Sequence, residues 1–292
     1  MFLIVGGDSE IGAALAAQLE AQDRPVAATT RRPERAAPNR PLLDLAAPLD
    51  SWTPPPSTRA ACMCAAVARL AACAADPQGS ARINVDQTLA LFDTLLAQDI
   101  AVLFLSTNQV FDGGTPNVVA DAPHSPVSEY GRQKAKVETA LRQRIGQGAP
   151  AAILRLAKVV SPGMPLLRGW IADLKAQRPI HAFADMTLAP TPAALVCDAI
   201  AALLEDRARG IFQLTGPRDV SYAEVGRFIA AYIGAENGLV QETSAYDSGL
   251  PQGAAPLHTT LDSSLLRERY SIAAPDVWEV VESVILSDGE PP

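Results

Sequence analysis

The chain has 292 residues, 48% of them hydrophobic and 19% charged, so it is long enough and apolar enough to bury a sizeable core. Its 24 basic and 32 acidic side chains give a net charge of −8. This balance argues against nucleic acid or an anionic membrane as a partner, because both require clustered basic side chains to neutralise phosphates. A nucleotide pocket needs only a few local donors and stays compatible with this charge.

Features of membrane insertion and export are missing from the sequence. No apolar run approaches the roughly 18 residues of a membrane span, and the first residues lack the charged leader and cleavage site of a signal peptide. The cysteines are too few for a disulfide framework in a chain of this length and show no metal-ligand spacing; they are Cys62, Cys64, Cys73 and Cys197. We therefore expect reduced thiols, no metal site and a cytoplasmic protein.

The first half of the chain alternates short apolar runs with stretches of helical periodicity. Strands are predicted at 2–5, 25–30, 41–45, 59–66, 101–106 and 151–156, and helices at 11–22, 81–98 and 129–145. Prolines are frequent over 33–58, and most of that stretch is predicted to be loop. Alternation of this kind predicts an α/β fold with a Rossmann-type, doubly wound parallel sheet.

The alternation weakens after about residue 160, where prolines punctuate the chain. Helices are predicted at 193–207, 221–233 and 276–286, and a short strand at 211–214. We interpret 1–160 as a Rossmann domain and 161–292 as mostly a smaller lobe, with a segment of about 185–215 that returns to the first domain. The final residues, 287–292, are expected to fray.

A glycine-rich turn follows the first strand and opens the first helix. It reads Gly6-Gly7-Asp8-Ser9-Glu10-Ile11-Gly12. Glycines let the backbone approach a pyrophosphate, and the helix N-terminus offers free N–H groups. The order strand, turn, helix predicts a dinucleotide site in 1–160, with an ordinary tight turn as the alternative. The predicted contacts in this turn are Gly6, Asp8, Ser9, Glu10, Ile11 and Gly12.

The end of the second strand indicates which dinucleotide is preferred. An NAD site places an acidic residue there, on the ribose 2′-hydroxyl. This chain has Arg31 and Arg32 instead, and a guanidinium suits a 2′-phosphate. We therefore predict that NADP(H) is preferred and that NAD(H) is also accepted; a solvated charged loop is the alternative.

Tyr130 and Lys134 are four residues apart on a predicted helix and therefore share one face. A nearby ammonium favours the phenolate, so Lys134 is predicted to lower the Tyr130 pKa from its usual ~10. Such a tyrosine exchanges a proton with a carbonyl or alcohol oxygen while hydride moves to or from nicotinamide. Thr107, at the end of the strand 101–106, can hydrogen-bond the same oxygen. A chance Tyr and Lys on an exposed helix is the alternative.

Segments spread over nearly the whole chain resemble the extended short-chain dehydrogenase/reductase family. They include STNQVFDG at 106–113 and YGRQKAKVE at 130–138, with further matching runs at 153–162, 189–200, 210–225 and 261–270. Within that family the chain is most similar to the dTDP-4-dehydrorhamnose reductases. The resemblance implies a substrate lobe, reduction of a 4-keto nucleotide sugar or related carbonyl, and Thr107, Tyr130 and Lys134 as the catalytic trio.

The resemblance also implies further contacts. The cofactor would meet Asp44, Leu45, Cys64, Ala65, Ala66, Asn84, Ser106, Tyr130 and Lys134. The substrate would meet Thr107, Asn108, Val110 and Phe111. Two further substrate contacts are predicted from position alone: His124, six residues before Tyr130, with a loop histidine of no role as the alternative, and Lys158, which follows a buried strand and could meet a substrate phosphate, with a surface lysine as the alternative. The family's Asn-Ala-Ala motif is replaced here by Cys64-Ala65-Ala66, and a tryptophan position by Lys158.

Two other functions are consistent with these motifs. One is a nucleotide-sugar epimerase with the same trio, and the other is a non-catalytic NADP-binding regulatory subunit. The expected partner is a small molecule, a nucleotide sugar, and the chain is a candidate homodimer.

Overall fold

The protein is described from a computed structural model that covers residues 1–49, 51–250 and 253–287. Its strands are β1 (Phe2–Val5), β2 (Val26–Ala28), β3 (Ala60–Met63), β4 (Ala101–Thr107), β5 (Ala151–Leu156), β6 (Val159–Val160), β7 (Ile180–Phe183), β8 (Thr187–Leu188), β9 (Thr191–Pro192), β10 (Gly210–Leu214), β11 (Val220–Ser221) and β12 (Val240–Thr243). Its helices are α1 (Glu10–Ala21), α2 (Leu70–Ala75), α3 (Pro77–Ala81), α4 (Thr88–Leu96), α5 (Glu129–Gly146), α6 (Pro165–Lys175), α7 (Ala193–Glu205), α8 (Tyr222–Tyr232), α9 (Ser264–Tyr270) and α10 (Val277–Ser287).

A parallel sheet forms the centre of the described chain, in the order β10-β5-β4-β3-β1-β2. The chain moves outward from β1 to β2 and then crosses to the other side of β1 to form β3. This reversal creates a crevice at the carboxyl ends of β1 and β3, where open α/β sheets bind their ligands. The topology therefore places the glycine-rich turn after β1 at the expected ligand site.

Both faces of the sheet are covered, because every residue of β1, β3, β4 and β5 is buried. Side chains alternate between the faces along β1. Phe2 and Ile4 pack against α1, α7 and α9, whereas Leu3 and Val5 pack with α4 and α5. Continuous apolar strands are the pattern of a sheet buried on both sides. The predicted doubly wound α/β fold is confirmed.

The third predicted strand, at 41–45, is wrong. In that stretch only Leu42 forms a parallel bridge, to Thr30. Pro41 has no N–H to donate to a ladder, and Asp44 starts a turn by accepting a hydrogen bond from Ala46 N at 2.9 Å. The pairing therefore ends after a single bridge.

The helix predicted at 81–98 is interrupted. The segment Arg82–Gln87 has π-helical hydrogen bonding and connects α3 to α4. Insertions of this kind recur at functional sites, and this one carries Asn84. Periodicity alone did not indicate the interruption, because a π-turn changes the helix phase by only one residue.

The second half contains a separate apolar cluster. Leu167 and Trp170 of α6 pack there against Val225 and Ile229 of α8 and Val281 of α10. Two elements of this half belong with the central sheet: β10 pairs with β5, and α7 packs on the face of the sheet. The proposed domain boundary at 160 stays a prediction, and the expected fraying of 288–292 lies outside the described residues.

No helix in the described part of the chain is long and apolar enough to cross a membrane.

Candidate active site

The turn from β1 to α1 is held closed by Ser9. Its Oγ donates to the Gly6 carbonyl at 2.7 Å and accepts from Gly12 N at 3.1 Å. Gly6 has a φ of +93°, and a Cβ on Gly12 would lie 2.3 Å from the Gly6 oxygen. Both positions therefore require glycine. The closed turn leaves the N-terminus of α1, with its free N–H groups, at the carboxyl edge of the sheet.

A cavity of about 280 Å³ adjoins this turn. It brings together many of the predicted cofactor contacts, namely Gly6, Asp8, Ser9, Arg31, Arg32, Asp44, Leu45, Ala65 and Ala66. Its lining also includes residues that the sequence did not indicate, among them Thr29, Leu43, Ala46, Val67 and Ile83. Other predicted contacts lie outside this lining: Glu10, Ile11, Gly12, Cys64, Asn84, Ser106, Tyr130 and Lys134.

The cavity fits a dinucleotide with a 2′-phosphate. A Cβ on Gly6 would approach Ala65 to 2.7 Å, so the glycine keeps open a cradle that a side chain would fill. A helix N-terminus stands beside the cradle for a pyrophosphate. The guanidiniums of Arg31 and Arg32 belong to the same lining and match a phosphate monoester.

Asp8 is an acidic residue of the turn, and three side chains donate to its carboxylate. Thr30 Oγ1 donates at 2.6 Å, Arg40 at 2.6 Å and Arg35 at 3.4 Å. The Thr30 hydrogen bond, together with the Arg40 guanidinium, holds the Asp8 pKa below its usual range. Sequence analysis missed Arg35 and Arg40, because both lie in the proline-rich loop and no local pattern places them beside the turn.

Lys134 connects the catalytic helix to the end of β4. Its Nζ donates to the Leu105 carbonyl at 2.8 Å and lies 5.7 Å from the centroid of the Tyr130 ring. Thr107 ends the same strand, two residues beyond Leu105, and its side chain is largely buried. The ammonium therefore lies between the strand that carries Thr107 and the phenol.

Close packing fixes the start of α5 against the turn after β4. Ser128 caps the helix by accepting from Gly131 N at 3.0 Å, and it donates to Gln109 Oε1 at 3.0 Å. A Cβ on Gly131 would lie 2.1 Å from the Gln109 carbonyl oxygen, so the two backbones touch. Tyr130, next to this contact, is thereby held beside the residues that follow Thr107.

Burial dominates the ionisation of both catalytic candidates. It raises the Tyr130 pKa above the usual value and lowers the Lys134 pKa to about 8. The predicted lowering of the Tyr130 pKa is wrong for this structure, because loss of solvation on burial is the largest influence on this phenol and disfavours the phenolate. The phenol is therefore protonated at neutral pH, which is the form that donates a proton.

A buried polar network lies next to the trio and was missed by sequence analysis. Glu138 and Arg155 are both fully buried and pair at 2.6 Å, and Arg155 also donates to Gln213 at 2.9 Å. His124 Nε2 lies 2.8 Å from Glu138. Burial by itself would raise the Glu138 pKa, but hydrogen bonds from His124 and Arg155 bring it to about 2. His124, predicted to meet substrate, joins this network.

The predicted substrate residues after β4 differ in how deeply they are buried. Thr107 and Asn108 are adjacent, and Thr107 Oγ1 lies 3.4 Å from Asn108 Oδ1. The prediction for Val110 is wrong, because its side chain is completely buried in an apolar cluster with Leu261 and cannot touch a ligand. Phe111 belongs to the same cluster and is 6% exposed.

Lys158 interacts electrostatically with Glu10, the first residue of α1. Burial lowers the Lys158 pKa, and the Glu10 carboxylate opposes that effect. Ser161 donates to Glu10. Lys158 therefore lies within electrostatic range of the first residue of α1, and its predicted substrate contact stays a prediction.

Asn84 supports the cavity wall through hydrogen bonds of its side chain. Its side chain accepts from Val67 N at 2.8 Å and donates to the Val67 carbonyl at 2.9 Å and to Gln133 Oε1 at 2.8 Å. Val67 lines the cavity and Gln133 belongs to α5. The buried amide thus ties the cavity wall to the catalytic helix, and a direct cofactor contact stays a prediction.

The remaining predicted contacts are buried or partly buried at strand ends. Ser106 is 6% exposed on β4. Cys64 donates its backbone N–H to the Val5 carbonyl at 2.9 Å, and its Sγ lies 3.6 Å from that of Cys62. All four cysteines are free thiols, as predicted.

A segment near the C-terminus is anchored by Asp219, a residue that the sequence did not indicate. Asp219 accepts hydrogen bonds from Thr259 N at 2.7 Å and from Thr260 Oγ1 at 2.9 Å. His258 N donates to the Gly113 carbonyl at 2.9 Å. These contacts bring 258–260 against the loop that follows the catalytic strand.

Comparison with known proteins agrees with this architecture. A probable low-salt glycan biosynthesis reductase, Agl14 of Haloferax volcanii, is 28% identical over 69% of this chain and 68% of its own. A dTDP-4-keto-6-deoxy-D-glucose reductase of Streptomyces niveus is 24% identical over 95% of this chain and 89% of its own. A crystal structure of dTDP-4-dehydrorhamnose reductase from Bacillus anthracis in complex with NADP superposes with a TM-score of 0.82, at 18% identity and 98% coverage of both chains.

The family model described as the RmlD substrate binding domain matches residues 1–287. The match spans the turn after β1, the cavity beside it and the Tyr130–Lys134 pair, and the chain belongs to the RmlD substrate binding domain family.

Proposed function

We propose that this protein is an NADP(H)-dependent reductase of a 4-keto nucleotide sugar or a related carbonyl compound. The observation that carries the proposal is the Lys134 ammonium, held between the Leu105 carbonyl and the Tyr130 ring at the carboxyl edge of the sheet. The cavity beside the glycine-rich turn, which Arg31 and Arg32 also line, adjoins the same edge. Family membership and the reductase names of the relatives support the same reaction class.

The chain's own residues supply acid catalysis and orientation. NADPH, when bound, supplies the hydride that adds to the carbonyl carbon. Tyr130 Oη donates its proton to the carbonyl oxygen, so that the product is an alcohol. Lys134 stabilises the resulting phenolate, and Thr107 donates a hydrogen bond that orients the oxygen. The high Tyr130 pKa keeps the proton in place until negative charge develops on the substrate.

In this proposal the glycine-rich turn and the side chains of Arg31 and Arg32 bind the cofactor. The N-terminus of α1 would bind the pyrophosphate, and Arg31 and Arg32 would pair with a 2′-phosphate. This arrangement favours NADP(H) and still admits NAD(H), since the backbone contacts to the pyrophosphate are common to both.

Three finer assignments belong to the proposal. The substrate is a nucleotide sugar, as the names of the curated relatives suggest. The protein works in the cytoplasm, an assignment supported by its four free thiols. Association into a homodimer stays a prediction, which light scattering coupled to gel filtration tests.

The decisive experiment measures NADPH oxidation with a panel of dTDP-, GDP- and UDP-linked 4-keto sugars. We expect turnover with at least one of them and a loss of about 10²-fold or more in kcat for Tyr130→Phe, with the Kd for NADPH little changed. Full turnover by this variant would contradict the mechanism.

The same experiment separates the alternatives. An epimerase would keep its dinucleotide through gel filtration and convert sugars without net oxidation of NADPH. A regulatory subunit would bind NADPH and oxidise none of it with any sugar of the panel.

A further inference from the structure

The loop after β2 folds back toward the glycine-rich turn. Thr30 N donates to the Pro41 carbonyl at 3.0 Å, and Leu43 N donates to the Thr30 carbonyl at 2.9 Å. These two bonds place residues 41–43 alongside the end of β2. Arg40, just before them, is thereby brought to the Asp8 carboxylate 32 positions away in the chain.

Asp8 engages two guanidiniums at once. Arg40 donates to Oδ1 at 2.6 Å and Arg35 to the same oxygen at 3.4 Å, while Thr30 donates to Oδ2 at 2.6 Å. The Asp8 side chain is 16% exposed and lines the dinucleotide cavity. Arg40 Nε is buried and finds no hydrogen-bond partner among the described residues, so Arg40 retains an unused donor.

The two arginines predicted to bind a 2′-phosphate differ from this pair. Arg31 and Arg32 line the cavity, and neither forms an ion pair with a carboxylate of the described chain. Arg32 acts on the Asp8 carboxylate only through its charge, without an ion-pair contact. Arg35 and Arg40 do not line the cavity themselves and reach it through Asp8. Sequence analysis counted only Arg31 and Arg32.

We infer that Asp8 determines the selectivity between the two dinucleotides, because its carboxylate engages Arg40 and keeps that guanidinium from pairing with a 2′-phosphate. This inference rests on the dinucleotide site proposed above. A carboxylate in the lining repels a phosphate dianion but can accept a hydrogen bond from a ribose hydroxyl. Asp8 thus weakens the preference for NADPH that Arg31 and Arg32 create, and NADH remains an acceptable cofactor.

The test neutralises Asp8 and measures binding without catalysis. Asp8→Asn keeps the size of the side chain and an oxygen that accepts from Thr30. Isothermal titration gives Kd values for NADPH and NADH and for two fragments, adenosine 2′,5′-bisphosphate and 5′-AMP. We expect NADPH and the bisphosphate to bind about tenfold more tightly, and NADH and AMP to change by about twofold or less.

A double-mutant cycle tests the part played by Arg40. In an Arg40→Met background, Asp8→Asn should improve NADPH binding by a clearly smaller factor, since the guanidinium that it releases is missing and only the relief of repulsion between carboxylate and phosphate remains. The matched control is Asp93→Asn, which breaks an Asp–Arg pair of the same kind, 2.7 Å from Arg144, at the opposite edge of the sheet. This control should leave all four Kd values unchanged.

The outcomes distinguish the inference from the proposed function. An unchanged NADPH-to-NADH ratio in Asp8→Asn overturns the inference, as does an equal gain in the Arg40→Met background. If the wild-type protein binds neither dinucleotide, the proposed function fails first. Asp8→Ser, which also removes the charge, must change the NADPH-to-NADH ratio of Kd values in the same direction as Asp8→Asn. Thermal unfolding shows that each variant is folded.

Discussion

Lys134 has the titration that most directly affects catalysis. Burial lowers its pKa to about 8, whereas an ordinary lysine stays protonated to about 10. In the proposed mechanism its ammonium stabilises the Tyr130 phenolate that forms when the proton leaves. Loss of the Lys134 proton should therefore remove that stabilisation at mildly alkaline pH.

We expect kcat/KM to fall above about pH 8, because that parameter reports ionisations of the free enzyme. A pH–rate profile between pH 6 and 10 measures the effect. The Lys134→Met variant serves as the comparison, since its low activity should lack this limb. A wild-type profile that stays flat to pH 10 would contradict the assignment.

Val110 shows that resemblance to a family motif does not predict the exposure of each residue in the motif. Its motif marks the right segment, and the segment does follow the catalytic strand, yet its side chain is completely buried. A motif identifies a stretch of chain but not which of its side chains face solvent. A motif likewise does not indicate whether the Tyr130 pKa is raised or lowered, because that shift depends on how far the folded chain excludes water from the phenol.

Among the elements, the junction of β1 with α1 has the least tolerance for substitution. A Cβ on Gly12 would lie 2.3 Å from the Gly6 carbonyl oxygen and 2.8 Å from Ser9 Oγ. The carbonyl oxygen is a backbone atom, and Ser9 Oγ is held in place by its hydrogen bonds to the Gly6 carbonyl and Gly12 N. The close approach is what allows Ser9 to cap the helix and expose its N-terminus.

Gly12→Ala should therefore open the turn, weaken NADPH binding by more than about tenfold and destabilise the fold by about 1–3 kcal/mol. Calorimetric titration and thermal unfolding measure the two effects. Gly169→Ala in α6 is the control, since nothing lies within 4 Å of a Cβ there. That substitution should stabilise the protein by up to about 1 kcal/mol and leave binding unchanged.

The two strongest site predictions were local to single elements. The strand–turn–helix order around Gly6 and the four-residue spacing of Tyr130 and Lys134 can both be recognised within short windows of sequence. The structure places both at the carboxyl edge of one sheet. The loop 33–58 offered no such window, and its contribution through Arg40 was missed.

At the scale of the whole molecule, the Glu138–Arg155 pair joins separate elements. Glu138 belongs to α5 and Arg155 to β5, and the bond from Arg155 to Gln213 extends the network to β10. Both charged groups are fully buried. Removing one of them leaves the other charged and without solvent, which is far more costly than loss of a surface pair.

Glu138→Gln should accordingly lower the free energy of unfolding by about 3–5 kcal/mol in urea titrations at pH 7. The exposed pair Asp173–Arg178, 2.6 Å apart, supplies the control. Asp173→Asn should change stability by about 0.5 kcal/mol or less. Equal effects of the two substitutions would contradict the importance assigned to the buried pair.

The same pair predicts a loss of stability in acid. The folded protein holds the Glu138 pKa at about 2, below the ordinary 4.5, so the unfolded chain binds a proton that the folded chain does not. The contribution of Glu138 is therefore complete above about pH 4.5 and is lost as the pH falls toward 2. In Glu138→Gln this part of the pH dependence should disappear.

The sequence by itself determined the class of fold, the position of the glycine-rich turn and the helix face that carries Tyr130 and Lys134. Each of these follows from periodicity or spacing over a few residues, where backbone geometry alone decides which side chains are neighbours. Only the tertiary structure decided which residues surround Asp8, which charges pair with Glu138 and in which direction the Tyr130 pKa moves. Those properties depend on contacts between residues far apart in the chain and on the exclusion of water, and neither is recorded in a local pattern.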